Sequence, residues 1–106
     1  MTTEISTIEQ FDNLIKNNVT LIDFYADWCG PCKMIAPTIE SFSNNTTIDV
    51  AKANVDNFQD LAVRYGIRAI PALIWFKNGE VAYKHSGPCS ADALKKITDQ
   101  ITDSVT

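Results

Sequence analysis

The sequence predicts an α/β fold: a central mixed β-sheet covered by helices on both faces, with residues 1–106 forming one domain. Three observations point to it. Short β-rich apolar runs alternate with segments of helical periodicity, Asn78-Gly79 joins two of the runs, and an amphipathic segment closes the chain. At 106 residues the chain has a common single-domain length. A globule of this size hides roughly 65% of the surface it would expose unfolded, so one core can hold it.

The elements follow in order. Ser6 and Glu9 fit a capping box, and Phe11, Leu14 and Ile15 recur at helical spacing, which predicts a helix from Thr7 to about Asn17. Val19 to Ala26 is apolar on both faces, as a central strand requires. After Trp28-Cys29-Gly30-Pro31-Cys32 the stripe Cys32, Ile35, Ile39 and Phe42 predicts a second helix with Pro31 in its first turn. Pro37 lies inside that helix and predicts a kink, because it cannot donate to the carbonyl of Lys33. Ile48 to Val55 reads as a strand, and Asp60 to Tyr65 as a short helix ended by Gly66. Ala72–Lys77 and Glu80–Lys84 flank Asn78-Gly79 as a hairpin, and Ser90 can cap a last helix with the stripe Leu94, Ile97 and Ile101. Trp75 is expected to pack against a helix, and His85 to lie on a surface strand. No internal repeat, low-complexity run or linker interrupts the series.

Composition excludes several functions. Thirteen acidic against nine basic residues give a net charge of −4, with no positive field for phosphates, so nucleic acid is not the expected partner. The longest nearly uncharged apolar stretch, Ala69 to Phe76, holds eight residues and a proline. A membrane helix needs about 20, so no membrane role is expected. The opening MTTEISTIEQ has no basic start before an apolar run, which points to a cytoplasmic protein. The sequons at Asn18, Asn44 and Asn45 are then chance matches. Three cysteines in a reducing compartment indicate metal or redox chemistry rather than a disulfide framework.

Cys29 and Cys32 bracket a helix start. Helix geometry sets Cα atoms three residues apart at about 5 Å, within the span a disulfide tolerates. Closing so small a loop restricts the unfolded chain by only about 2 kcal/mol, so the bond suits cycling better than clamping. At the N-terminus, free N–H groups and the helix dipole favour a Cys29 thiolate. Cys32, a turn further in and on the apolar stripe, is expected to be buried as a thiol. Cys29 then attacks and Cys32 resolves. Asp23 sits among Leu21, Ile22, Phe24 and Tyr25, and two readings stand. It is a buried acid that holds its proton to high pH and serves Cys32, or a solvated strand-end carboxylate.

Two rival classes stand beside this reading, and one has specific residues behind it. Cys29, Cys32, His85 and Cys89 make a nominal zinc set, but the first pair opens a helix and Gly87-Pro88 stiffens the second. No metal is therefore expected. Cys89 reads as a buried inert thiol or as a regulatory or intermolecular one. No G-x-G-x-x-G or other cofactor site is present, so no cofactor is expected. A binding subunit whose dithiol is incidental is the other class.

Trp28-Cys29-Gly30-Pro31-Cys32-Lys33, with Asp23-Phe24-Tyr25-Ala26 before it and Met34-Ile35-Ala36-Pro37 after it, resembles the thioredoxin family. The similarity continues through Ala51–Asp56, Tyr65–Pro71 and Phe76–Gly79 to Gly87, in order over nearly the whole chain. The resemblance implies a thioredoxin-like three-layer sandwich and a monomeric reductant of disulfides in other proteins, re-reduced by a thioredoxin reductase. It implies that Cys29, Cys32 and Pro31 form the redox motif, that Asp23 is the buried acid, and that Lys52 is its neighbour. Without it, Lys52 reads as an ordinary snorkelling lysine. It further implies a cis Ile70–Pro71 bond, with the Ile70 backbone pairing to an extended substrate segment. Trp28, Gly30, Val55, Ala69, Ile70, Pro71, Gly87 and Pro88 correspond to the family's substrate-binding rim. Gly30-Pro31 is similar to the reducing members, whereas oxidising relatives usually carry histidine there. Tyr25 stands where many members have Trp, and Ser86, Pro88 and Cys89 also depart from the pattern.

Overall fold

The computed structural model describes residues 1–103. Its elements are β1 (Thr3–Glu4), α1 (Ile8–Leu14), β2 (Val19–Tyr25), α2 (Gly30–Asn44), β3 (Asp49–Asn54), α3 (Gln59–Arg64), β4 (Ala72–Lys77), β5 (Glu80–Ser86) and α4 (Ala91–Thr102). The sheet order is β1-β3-β2-β4-β5. β1 and β2 run parallel to β3, and β4 runs antiparallel to both β2 and β5.

Alternation along the strands builds two apolar layers. Ile22, Phe24, Ile74 and Phe76 pack with Phe11 and Ile15 of the α1 segment and with Phe58 and Leu61 at α3. Val19, Leu21, Leu73 and Trp75 face the other way and pack with Ile35 and Ile39 of α2 and Leu94 of α4. The fold is thus the predicted mixed sheet between helical layers. β2 is buried almost throughout because both faces are covered. Trp75 packs against α4 as expected, and its Nε1–H donates to Thr98 Oγ1 at 2.9 Å in the interior.

Three local readings need correction. Ser6 and Glu9 do not form the predicted capping box. Ile5 is held in extended form by its N–H to the Lys52 carbonyl (2.8 Å), so the chain turns into α1 one residue later. Thr7 is the cap, its hydroxyl accepting from Gln10 N–H at 3.0 Å, while the Gln10 side chain accepts from Ser6 N–H at 2.7 Å. β1 has no counterpart among the predicted elements, and β5 extends to Ser86 rather than Lys84. The hairpin turn has φ 53° at Asn78 and 91° at Gly79, the left-handed pair that Asn-Gly tolerates. It docks on the α1–β2 connection through Gly79 N–H to the Ile15 carbonyl at 2.7 Å. α2 continues through Pro37 to Asn44.

Candidate active site

The site lies at the carboxyl ends of β2 and β3, where the chain leaves the sheet and enters α2. Cys29 is the N-cap of that 15-residue helix, in extended conformation, and its sulfur accepts the Cys32 N–H at 3.1 Å. Pro31 occupies the first turn, where a missing N–H costs nothing. The two cysteines are disulfide-bonded with Cα atoms 5.3 Å apart, close to the helix-derived expectation.

Solvent exposure does not separate the two cysteines in this oxidised state: Cys29 is 4% exposed and Cys32 5%. Tyr25, Ala26, Val55 and Ile70 pack around the pair. What differs is the backbone. Cys29 Sγ sits at the positive end of α2, whereas Cys32 lies one turn in, on the stripe with Ile35 and Ile39.

The surrounding loops converge on Cys29. Its sulfur is 3.8 Å from the carbonyl oxygen of Ile70, and the Ile70–Pro71 bond is cis. Gly87, at φ 91°, donates its N–H to the Pro71 carbonyl at 2.8 Å and so brings the β5–α4 connection to the same rim. Trp28 is 69% exposed beside the disulfide, oriented by a 3.0 Å hydrogen bond from Nε1 to Asp56 Oδ2. Ala69, Gly30 and Pro88 are also exposed, and Val55, Ile70 and Gly87 partly so.

Asp27, Asn54 and Asp56 are not among the expected site residues, yet they brace this rim. Asn54 Nδ2 reaches Asp27 Oδ2 at 3.5 Å, and Asn54 Oδ1 accepts Asp56 N–H at 2.9 Å. Polar residues at strand ends are common, so no local signal sets these apart.

Asp23 is buried rather than solvated at the strand end. The residue is 5% exposed, and its Oδ1 has no hydrogen-bond partner among the described residues. Desolvation pushes its carboxyl up to about 7, with Lys52 opposing the rise and Glu4 adding to it. Asp23 and Cys32 line one cleft of about 320 Å³ with Lys52, Lys33 and Ala36. Lys52 is beside Asp23 in register on β3. Its ammonium, however, pairs with Glu4 at 3.7 Å and lies 5.5 Å from the centre of the Tyr25 ring. The Tyr25 hydroxyl donates to both oxygens of Glu4, at 2.8 and 2.9 Å. Burial, followed by this bond, keeps that phenol protonated well above its usual range.

The nominal zinc set is not assembled. Cys89 is buried with Leu94, and His85, half-buried on the edge strand, has Nε2 2.8 Å from the Pro88 carbonyl oxygen. Among the described residues no group of three or more His, Cys, Asp or Glu could hold a metal ion. Among them, too, no helix is long and apolar enough to cross a membrane.

A disulfide-forming cysteine pair opening a helix at the carboxyl edge of a sandwiched mixed sheet defines a thiol–disulfide oxidoreductase. The thioredoxin family model matches residues 2–100. Thioredoxin-1 of Saccharomyces cerevisiae is 44% identical over 89 residues, covering 82% of this chain and 86% of that protein. Thioredoxin of Chlamydia caviae is 36% identical over 98 residues, covering 92% and 96%. A mutant thioredoxin from Halobacterium salinarum superposes with a TM-score of 0.91 at 39% identity, covering 99% of this chain and 94% of that one. The chain belongs to the thioredoxin family.

Proposed function

We propose that this chain acts as a monomeric, single-domain reductant of protein disulfides, with Cys29 as nucleophile and Cys32 as resolving thiol. The observation that carries the assignment is the N-cap geometry, which gives the Cys29 sulfur a backbone N–H and the positive end of α2. In the first step the Cys29 thiolate bonds to one target sulfur and expels the other as a thiolate. In the second, Cys32 gives its proton to the Asp23 carboxylate and attacks Cys29 Sγ. The remaining target sulfur leaves as a thiolate, and the Cys29–Cys32 disulfide forms. Two electrons pass to the target. An acid near 7 suits this exchange, because it can accept and return a proton at neutral pH.

The target segment is read as extended, pairing with the Ile70 backbone beside Cys29. Trp28, Gly30, Val55, Ala69, Gly87 and Pro88 supply a rim with few charges, suited to loose binding of varied partners, while Pro71 is buried beneath it. A thioredoxin reductase is the donor that restores the dithiol. We place the activity in the cytoplasm, a reading supported by a free thiol at Cys89 and by a sole disulfide, among the described residues, that closes only a three-residue step.

The test combines insulin disulfide reduction by the wild type with covalent trapping by Cys32→Ser. Wild type should precipitate insulin chains in the presence of dithiothreitol faster than dithiothreitol alone. The variant should accumulate reducible mixed disulfides on Cys29. An inactive wild type, or a variant that captures no partner, would overturn the assignment.

A further inference from the structure

The pairing of the edge strand brings a residue outside the redox motif into the site. Glu4 of β1 is in register with Lys52 of β3, and Lys52 with Asp23 of β2. Neighbouring parallel residues point to the same face, so Glu4, Lys52 and Asp23 form a row across three strands. Tyr25, two residues beyond Asp23, projects from the same face and donates to both carboxylate oxygens of Glu4 at 2.8 and 2.9 Å. Glu4 therefore holds two groups at once: the Tyr25 hydroxyl and, at 3.7 Å, the Lys52 ammonium. β1 is itself fixed. Ile5 N–H bonds to the Lys52 carbonyl at 2.8 Å, and Thr2 N–H is shared between the Glu40 carboxylate oxygens at 3.3 Å.

We propose that Glu4 and Tyr25 are positioning residues for the proton acceptor of the resolving step. They hold the Lys52 ammonium on the outer side of the row, so Asp23 faces Cys32 as a free base rather than as half of an ion pair. The role rests on reading Asp23 as the acceptor of the Cys32 proton.

Charge geometry gives this arrangement its effect. Lys52 and Glu4 are roughly half exposed, so their pair adds little to stability. Its consequence falls on the buried neighbour, whose Oδ1 has no partner among the described residues to compensate a change in field. The groups facing Asp23 are Lys52 from β3, Glu4 from β1, Tyr25 on β2, Asp27 in the following loop, and Cys32 and Lys33 from α2; β4 contributes the apolar Leu73. Removing the Glu4 charge acts twice in one direction. It withdraws a negative charge about 10 Å from Asp23, two strand spacings away, and it frees Lys52 to approach the carboxylate. Both changes make Asp23 a weaker base.

The experiment follows the Asp23 carboxyl by carbon NMR through a pH titration of the reduced protein. The Glu4→Gln midpoint should fall by about 0.5 to 1 pH unit relative to wild type. Tyr25→Phe keeps every charge but removes the clamp, and should shift the midpoint less, in the same direction. In a Lys52→Met background the effect of Glu4→Gln should shrink to the direct repulsion. An Asp23 midpoint unchanged in Glu4→Gln overturns the proposal. The pH profile of mixed-disulfide resolution, measured on the same variants by stopped flow, separates the two readings. A profile that follows the Asp23 midpoint supports both. A midpoint that moves while the profile stays fixed preserves the coupling from Glu4 and overturns Asp23 as proton acceptor.

Discussion

Replacing Asp23 by Asn should stabilise the oxidised protein at alkaline pH and leave it little changed in acid. A carboxyl pushed from 3.8 to about 7 by burial is neutral in both folded and unfolded chains in strong acid, where it exacts no charge penalty. As pH rises past 3.8 the unfolded chain releases the proton while the folded one keeps it, so stability falls until the folded carboxyl also ionises near 7. At about 1.4 kcal/mol per pH unit, a rise of about 3 units corresponds to about 4 kcal/mol lost by the wild type across that window. The amide introduced by Asp23→Asn does not titrate. The stability of Asp23→Asn minus that of wild type should therefore grow by about 4 kcal/mol between about pH 4 and about pH 8.5. Any desolvation cost of the amide is the same at every pH and drops out of the slope. Urea unfolding of both oxidised proteins, followed by fluorescence at several pH values, measures it directly. A difference that does not change with pH would refute the reasoning, because it would mean that Asp23 ionises as easily folded as unfolded.

Thr98→Val removes the acceptor of the buried Trp75 Nε1–H without changing shape. It should lower stability by about 1–3 kcal/mol in urea titrations, and an unchanged midpoint would show that the indole finds another acceptor. Cys89 is 7% exposed, and burial raises its thiol above the ordinary range. A thiol reagent should therefore label it about tenfold or more slowly in the native oxidised protein than in the unfolded chain. Cys89→Ala should keep full insulin reduction; loss of activity would give this thiol a part in turnover.

Much of the fold is legible because its determinants are local. The stripe Cys32, Ile35, Ile39 and Phe42 announces α2, Asn78-Gly79 announces the hairpin, and Ser90 marks the start of α4, where its Oγ accepts Ala93 N–H at 3.1 Å. Each signal lies within a few residues of the structure it specifies. β1 leaves no such trace. Thr3 and Glu4 are exposed and form a strand only because β3 offers them backbone partners nearly fifty positions away. The capping residue of α1 escapes a local reading for the same reason, since the extended pairing of Ile5 with Lys52 sets where the helix can begin.

The site divides along the same line. Cys29 and Cys32 can be given different environments from sequence because helix position alone supplies the N–H donors and dipole to the first and the apolar stripe to the second. Their nearly equal burial is not foreseeable, since Tyr25, Val55 and Ile70 cover them from separate segments. Nor can the neighbours of Asp23 decide between an interior acid and a solvated one. That depends on β3, β4 and α2 enclosing it, and on Glu4 rather than Asp23 taking the ammonium of Lys52. Periodicity and dipole are properties of a continuous stretch of chain and can be read from its order. Dielectric surroundings and charge partners arise between stretches, so only tertiary pairing decided them.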